Sequence, residues 1–299
     1  MANWVVVGAS GFIGQGICEA VDSAGHRVTR LAAPRLRVHP SWSADELVES
    51  MSSCEDEIVA LATRFPRDSV VVNAAGMAMP GASESSDLYG ANAALPVLVL
   101  LAARKAGVSR FIHISSAAVQ GRLPELDDTW NQQPFSAYSR SKALAESSLR
   151  LLLRHPDQTT DVRIIRATSI QDENRGTTKN LVRFARSPFA SVAAPGDAPS
   201  PVSSLDGLAK FVLALGTDRI RVSEVSVQPW EGLTVRDVIL EYGMKEPHQL
   251  PPSLCRFLVA AGYLIAKLGV PGIESSVRRA EVLWFGQSIR VDSCGHVPV

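Results

Sequence analysis

The run Phe111-Ile112-His113-Ile114-Ser115-Ser116 is apolar and β-branched until it reaches two hydroxyls, and it continues as Ala117-Ala118-Val119-Gln120-Gly121. Beyond a loop comes Tyr138-Ser139-Arg140-Ser141-Lys142, in a stretch that reads as helix. A buried strand ending in serines delivers their hydroxyls to its C-terminal edge, the side on which open α/β sheets bind ligands. Tyr138 and Lys142, at i and i+4, stack on one helix face. Reduction of a carbonyl needs a proton donor at the oxygen that becomes a hydroxyl, and a phenol with an ordinary pKa of about 10 is poorly matched to neutral pH. Bringing it to about 7 takes roughly 4 kcal/mol of preferential stabilisation of the phenolate. An exposed ammonium supplies at most about 1 kcal/mol, so Lys142 assists Tyr138 only in a low-dielectric cleft, beside a cationic oxidised nicotinamide. The other donors of Lys142 are then available to the nicotinamide ribose, and Ser116 donates to the carbonyl oxygen and orients the substrate.

A serine nucleophile is the competing chemistry. No Gly-x-Ser-x-Gly elbow surrounds Ser115 or Ser116, and His113 is better read as a core or edge histidine, which disfavours a hydrolase.

The hydroxyls and the amine need a cofactor-binding frame, and the N-terminus supplies one. Trp4-Val5-Val6-Val7 reads as a strand, followed by Gly8-Ala9-Ser10-Gly11-Phe12-Ile13-Gly14 and a helix through Ala20. In such a turn one glycine makes the tight exit from the strand, one lets backbone approach a pyrophosphate, and one lets helix pack on strand. The helix N-terminus then offers free N–H groups to the phosphates, so Gly8, Ser10, Gly11, Phe12, Ile13 and Gly14 are cofactor candidates. The second strand, Arg27 to Leu31, is followed by Ala32-Ala33-Pro34-Arg35-Leu36-Arg37, with no carboxylate to receive an adenosine ribose. Arginines clamp a 2′-phosphate that an acid would repel. Arg35 and Arg37 therefore favour NADP(H), with NAD(H) as the alternative.

Residues 41–65 read as a helix, and Val70 to Gly76 as a buried strand whose end, Asn73-Ala74-Ala75-Gly76, is small enough for the backbone to lie against the adenosine half of a cofactor. Leu88 to Ala106 reads as a long helix carrying Asn92, with Pro96 in its first turn or at a break. Val162 to Arg166 and Glu224 to Val227 read as later strands, with a helix between them over 177–186.

Composition excludes several classes of function. Apolar residues make up 46% and charged residues 20%, with 30 basic and 30 acidic side chains, so neither disorder nor an electrostatic nucleic-acid partner is supported. Cys18, Cys54, Cys255 and Cys294 form no CxxC pair, and the chain opens on a strand, which points to reduced thiols in a cytoplasmic protein and to no metal. Leu254, Leu258, Ala261, Ile265 and Leu268 recur at helical spacing, and we expect that stripe to pack against the body of the protein rather than meet a membrane.

The combination of Gly8-x-x-Gly11-x-x-Gly14, Asn92, Ser115-Ser116-Ala117-Ala118-Val119-x-Gly121 and Tyr138-x-x-x-Lys142 resembles the extended short-chain dehydrogenase/reductase superfamily, the NAD(P)-dependent epimerase/dehydratase-like group. The resemblance implies an α/β, Rossmann-type doubly wound parallel sheet with a small C-terminal substrate lobe. It implies a core over 1–167 to which 200–228 returns, and a lobe over 168–199 and 229–299. It assigns Tyr138 as general acid/base, Lys142 as the group that lowers its pKa and binds ribose, and Ser116 as the substrate-orienting hydroxyl. Asn92 and Ser115 fall near the cofactor. Where the family often has Arg-Pro-x-Asn after the strand at 162–166, this chain has Arg166-Ala167-Thr168-Ser169, so Ser169 replaces the asparagine at the substrate-binding position.

Three departures narrow the reaction. The acid after the second strand is missing, and so is the Gly-Asp that usually follows a third strand. Ser115, Ser116 and Ala117 stand where the dehydratase branch carries Thr-Asp-Glu, so sugar dehydration has no carboxyl pair. These departures place an NADP(H)-dependent ketone reductase first, acting on a small molecule such as a keto-sugar or natural-product intermediate. An NAD-dependent nucleotide-sugar epimerase comes second, and a non-catalytic NADP-sensing protein third. Arg175, Lys179, Arg183, Arg278 and Arg279 are candidates to meet a substrate phosphate, with solvated helix faces as the plainer reading. Pairing of two copies through the helices at 88–106 and 137–154 is expected, because Leu144, Leu149, Leu152 and Leu153 offer more apolar surface than one sheet face requires.

Overall fold

Trp4, Val5, Val6 and Val7 are all buried, which a strand achieves only inside a sheet covered on both faces. The computed structural model describes residues 1–78, 83–154, 159–172, 176–268 and 273–290. The first half of the chain runs β1 (Asn3–Val7), α1 (Phe12–Ser23), β2 (Arg27–Leu31), α2 (Ala44–Ser52), α3 (Glu55–Ala62), β3 (Val70–Asn73), α4 (Ser86–Tyr89), α5 (Leu95–Ala106), β4 (Arg110–Ser116), β5 (Glu125–Leu126) and α6 (Ala137–Leu153). The second half runs β6 (Asp161–Ala167), β7 (Ser169–Ile170), α7 (Gly176–Arg186), β8 (Ser191–Ala193), β9 (Val202–Ser203), α8 (Leu205–Gly216), β10 (Val225–Val227), α9 (Val235–Gly243), β11 (His248–Leu250), α10 (Pro252–Ala266), α11 (Ile273–Phe285) and β12 (Ser288–Ile289).

Six strands form one parallel sheet in the order β10-β6-β4-β3-β1-β2. The order reverses between β1 and β3, and the crevice above their C-terminal ends is the topological switch point at which such sheets bind ligands. One face packs under α1 and α8, where Trp4, Val6, Ile112 and Ile165 meet Ile17, Leu208 and Phe211. The other face packs Val5, Val71, Phe111 and Ile164 under α5 and α6.

The segment between β2 and β3 contributes helices and no strand among its described residues. That accounts for the missing Gly-Asp signal, since no third strand is there to carry it. The helix expected over 41–65 is two helices: α2 opens on a capping box at Ser43 and Glu46 and stops at Ser53, and α3 starts afresh beyond Cys54. They lie against α5 and α6. Leu149 and Leu152 are consequently buried within the chain, and Leu144 and Leu153 pack on the same core. The chain itself thus covers Leu149 and Leu152 and part of Leu144 and Leu153.

The helix expected over 88–106 begins earlier, at Ser86, and contains a π-helical turn, Gly90–Ala94. In a regular helix Pro96 would leave the Asn92 carbonyl without its donor and press its ring against it; the widened turn removes both conflicts. The stretch from Ser86 to Ala106 is long and apolar enough to cross a membrane, but 78% of its most apolar 18-residue window is buried in this fold.

The remaining elements build a smaller layer beyond β6. Leu181, Val192, Val235, Val238 and Ile239 form their own core from α7, β8 and α9, and β11 pairs with β8. β12 returns to pair with β5 beside the loop that follows β4. Helix α10 corrects the expectation for the C-terminal stripe. It packs on α11, with Gly262 against Val277 and with Cys255 and Val259 buried, while Leu254, Leu258, Ile265 and Leu268 are exposed. Cys18, Cys54 and Cys255 are free thiols, and Cys294 lies outside the described residues.

Candidate active site

The turn after β1 is built for close approach. Gly8 has φ +83°, a region that side chains rarely adopt, and a Cβ there would stand 2.6 Å from the Ala75 Cα. Its N–H donates to the Leu31 carbonyl at 2.8 Å, which ties the turn to β2. Gly11 is the N-cap of α1 and brings no side-chain cap, and the first turn holds no acid, so the positive end of the helix faces the crevice with no carboxylate of its own turn beside it. Ser10 and Gly11 are exposed, Phe12 and Ile13 half-buried, and Gly14 lies beneath the turn against Gly8 and Ala9. This geometry fits a pyrophosphate.

At the end of β3 the expectations divide. Ala74 and Ala75 are half-buried and Gly76 is exposed at the crevice. Asn73 is fully buried, its amide committed to His113 Nδ1 at 3.3 Å and to the Ala75 N–H at 3.2 Å. The two residues face each other because β3 and β4 pair Asn73 with His113. Asn73 therefore shapes the turn from below, with its side chain engaged by His113 and the Ala75 N–H.

Asn92, in the π-helical turn, is a clamp. Its Oδ1 accepts from the Met77 N–H at 2.8 Å, and its Nδ2 donates to the Met77 carbonyl at 3.1 Å and to Ser141 Oγ at 3.0 Å. Ser141 in turn donates to the Tyr138 carbonyl at 2.8 Å. The loop after β3, the π-helical turn and the start of α6 are thereby fixed to one another. A Cβ on Gly76 would stand 2.8 Å from Asn92 Oδ1 and 3.2 Å from Lys142 Nζ, so only glycine leaves room there.

Helix α6 opens on a capping box, Ser136 with Ser139, which sets Tyr138 in the first turn and Lys142 one turn on. Lys142 is buried and donates from Nζ to the Ile114 carbonyl at 2.9 Å, in the strand that carries Ser116. Burial lowers its pKa from 10.5 to about 8, against the opposing pull of Glu146. His113 lies below it, wholly buried, and burial together with the Lys142 charge holds its pKa well below 6.5. It is neutral, and its Nε2 has no partner among the described residues.

The two serines separate. Ser116 is half-buried; its Oγ accepts from the Ala118 N–H at 3.2 Å, which leaves its proton to donate. Ser115 points the other way along the pleat and donates to Glu146 Oε1 at 2.6 Å, fully inside the fold. Ser115 belongs to the floor of the site, with its hydroxyl engaged by Glu146.

That floor is a buried ion pair that sequence reasoning missed. Arg166 and Glu146 are both 0% exposed, and the guanidinium bonds Glu146 through Nε at 3.1 Å and through its second terminal nitrogen at 2.7 Å. The other terminal nitrogen reaches the carbonyls of Asp127 at 3.1 Å and Thr129 at 2.7 Å, in the loop that roofs the site. Gln120 pins the same loop, with Nε2 on Asp127 Oδ1 at 2.7 Å. The available signal was Lys142-x-x-x-Glu146, an acid one helical turn past the lysine, with an arginine inside a strand that pairs with β4.

The remaining candidates lie at the margins. Arg35 and Arg37 are exposed beyond β2, and Arg37 pairs with Asp87 at 3.1 Å. Ser169 is exposed on β7, and its Oγ accepts from Gln171 at 2.7 Å. A cleft of about 580 Å³ opens beside the roof loop, with Arg122, Gln133, Tyr263, Lys267 and Arg278 on its walls. Arg278 bonds the carbonyls of Gly121 and Leu123, so it ties α11 to that loop. Lys179 and Arg183 are exposed on α7, and Arg175 lies outside the described residues.

The reversed strand order, the glycine turn and the lysine-bearing helix beside β4 define a dinucleotide-binding Rossmann fold of the extended short-chain dehydrogenase/reductase type. The chain belongs to the NAD dependent epimerase/dehydratase family, whose model matches residues 4–184, and it is an NAD(P)-dependent enzyme of that type. No curated protein matches it in sequence. Among solved structures it is similar to a dTDP-4-dehydrorhamnose reductase from Clostridium acetobutylicum, at 18% identity and TM-score 0.56 over 80% of this chain and 79% of that one. It is also similar to a UDP-glucuronic acid 4-epimerase from Bacillus cereus in complex with NAD, at 15% identity and TM-score 0.58 over 84% and 86%. A UDP-glucose 4-epimerase from Thermus thermophilus in complex with NAD matches at 21% identity and TM-score 0.54 over 83% and 86%. Likeness at this identity concerns the fold.

Proposed function

We propose that the protein is an NADP(H)-dependent reductase of a ketone on a small molecule, a keto-sugar or a natural-product intermediate, running as an alcohol dehydrogenase in reverse. The observation that carries the reading is Lys142: a buried ammonium held on the Ile114 carbonyl beside Gly76, one helical turn from Tyr138. A cation buried at this cost has its use in the low-dielectric setting that a phenol needs to give up or take a proton near neutral pH.

The roles follow from position. The glycine turn and the N-terminal end of α1, which carries no acid in its first turn, would hold the pyrophosphate. Lys142 and Asn92 border the nicotinamide ribose, and Arg35, which has the freer guanidinium of the pair, meets the 2′-phosphate. Ser116 donates to the substrate carbonyl, and Tyr138 gives its phenolic proton to the same oxygen. A nicotinamide bound there supplies the hydride to the carbonyl carbon. The buried Glu146–Arg166 pair holds α6 against β6 and keeps the roof loop over the site.

NADP(H) rests on the absence of a carboxylate at the end of β2 and on Arg35. The epimerase reading keeps standing because two of the similar structures carry NAD and act on UDP-sugars. Incubation with NADPH or NADH and a panel of ketones separates the two. Net loss of nicotinamide absorbance with NADPH supports the reductase; stoichiometric NAD in the purified protein, with no net absorbance change during turnover, supports the epimerase.

A further inference from the structure

Helix α10 is apolar on two opposite faces. On one, Cys255 and Val259 are buried, Gly262 lets α11 approach so closely that a Cβ there would stand 2.7 Å from a Val277 methyl, and the Tyr263 hydroxyl donates to Glu281 at 2.7 Å. On the other lie Leu254 (44% exposed), Phe257 (68%), Leu258 (44%), Leu264 (66%) and Ile265 (49%), continued by Leu268 (79%) just past the helix end. At 3.6 residues per turn these six side chains fall within an arc of about 120°, along about 21 Å of helix. One exposed leucine is ordinary, but a continuous stripe of this kind marks an interaction surface.

Charge identifies the occupant. Residues 252–268 contain Arg256 and Lys267, both exposed on the flank of the helix between the stripe and α11, and no carboxylate. Arg256 also lies over the Phe285 ring of α11 at 5.8 Å, which holds it on that flank. Two copies of the chain paired through this face would bring four cations to one seam with no acid on either helix to answer them. An anionic bilayer answers both features, taking the apolar stripe into the acyl boundary and the cations among its headgroups. The stripe is shorter than the roughly 20 residues needed to span, so it lies in the plane of the interface.

We propose that the exposed face of α10 docks this protein on an anionic lipid surface, with Leu254, Phe257, Leu258, Leu264, Ile265 and Leu268 inserted and Arg256 and Lys267 at the headgroups. Co-sedimentation with vesicles of equal parts phosphatidylcholine and phosphatidylglycerol, against phosphatidylcholine alone, tests it. Binding to the anionic vesicles is expected to be about thirtyfold tighter, from about 1 kcal/mol for each of two cations near the surface. Phe257→Asp with Leu264→Asp removes the binding, and Arg256→Gln with Lys267→Gln, which leaves the apolar face intact, reduces it to the phosphatidylcholine level. Both pairs keep the wild-type melting temperature and NADPH affinity. Equal binding to the two vesicle types, or none to either, overturns the proposal. So does a dimer, seen by light scattering without lipid, that the aspartate pair dissolves while vesicle binding is absent, because the face would then belong to a second copy.

Discussion

Replacing Lys142 by methionine is expected to stabilise the cofactor-free protein while abolishing its turnover. Burial takes the ammonium from 10.5 in the unfolded chain to about 8 in the folded one, even with Glu146 pulling the other way. A drop of that size corresponds to about 3 kcal/mol of folding free energy lost to the buried charge. At pH 7 the group is protonated in both states, and the folded chain carries the whole cost. Between pH 8 and 10.5 the folded chain releases the proton that the unfolded chain keeps, so stability rises with pH; above 10.5 the cost is gone. Methionine matches the length and apolar body of the lysine stem but leaves the Ile114 carbonyl without its donor, which costs about 1 kcal/mol. The net gain at neutral pH is therefore about 2 kcal/mol. Urea unfolding of both proteins at pH 7 and pH 9 measures it, and the advantage of the variant is expected to shrink by about 1 kcal/mol between the two. A variant less stable than wild type at pH 7, or a difference that does not change with pH, would refute a strained, buried Lys142 cation.

Glu146→Gln leaves Arg166 buried with no charge partner, and urea unfolding is expected to show a loss of about 3–5 kcal/mol. In the same variant the acid that raises the Lys142 pKa is gone, so the limb of the pH–rate profile governed by Lys142 moves to lower pH. Arg35→Glu is expected to weaken NADPH about tenfold or more by calorimetric titration, as one charge-assisted hydrogen bond is replaced by repulsion, and to leave NADH within about twofold. Asn92→Ala breaks the ties from the β3 loop to α6; nicotinamide-cofactor affinity falls by at least about tenfold, while far-UV circular dichroism stays at wild type.

The parts of the fold that sequence made legible are those in which short-range chemistry decides. A strand, a glycine turn and a helix lie within the first 23 residues, and each is announced by its own neighbours. The Tyr138–Lys142 spacing survives for the same reason, since helix geometry turns it directly into proximity. Hidden features depend on partners far along the chain. β5, β8, β11 and β12 are two or three residues long and exist only because of the strands they pair with. The break at Ser53 and Cys54 interrupts a pattern that reads as helix on both sides. The π-helical turn showed itself only as an awkward Pro96. Alternation along β4 put Ser115 on the floor and Ser116 at the edge, a difference that two adjacent serines do not advertise. Helix α10 is the plainest case: its larger side chains made the visible stripe, yet the smaller ones, Cys255, Val259 and Gly262, allow the close approach to α11 and take the inner face.

The central claim is that Tyr138 serves hydride chemistry at a nicotinamide held by the glycine turn and Lys142. Tyr138→Phe tests it most directly, in an NADPH titration followed by rapid mixing of the saturated protein with a ketone that wild type reduces. The account predicts NADPH affinity within about twofold of wild type, since one hydroxyl away from the phosphates is removed, and a hydride-transfer rate at least about a hundredfold lower. Oxidation of NADPH by the variant at the wild-type rate would contradict it.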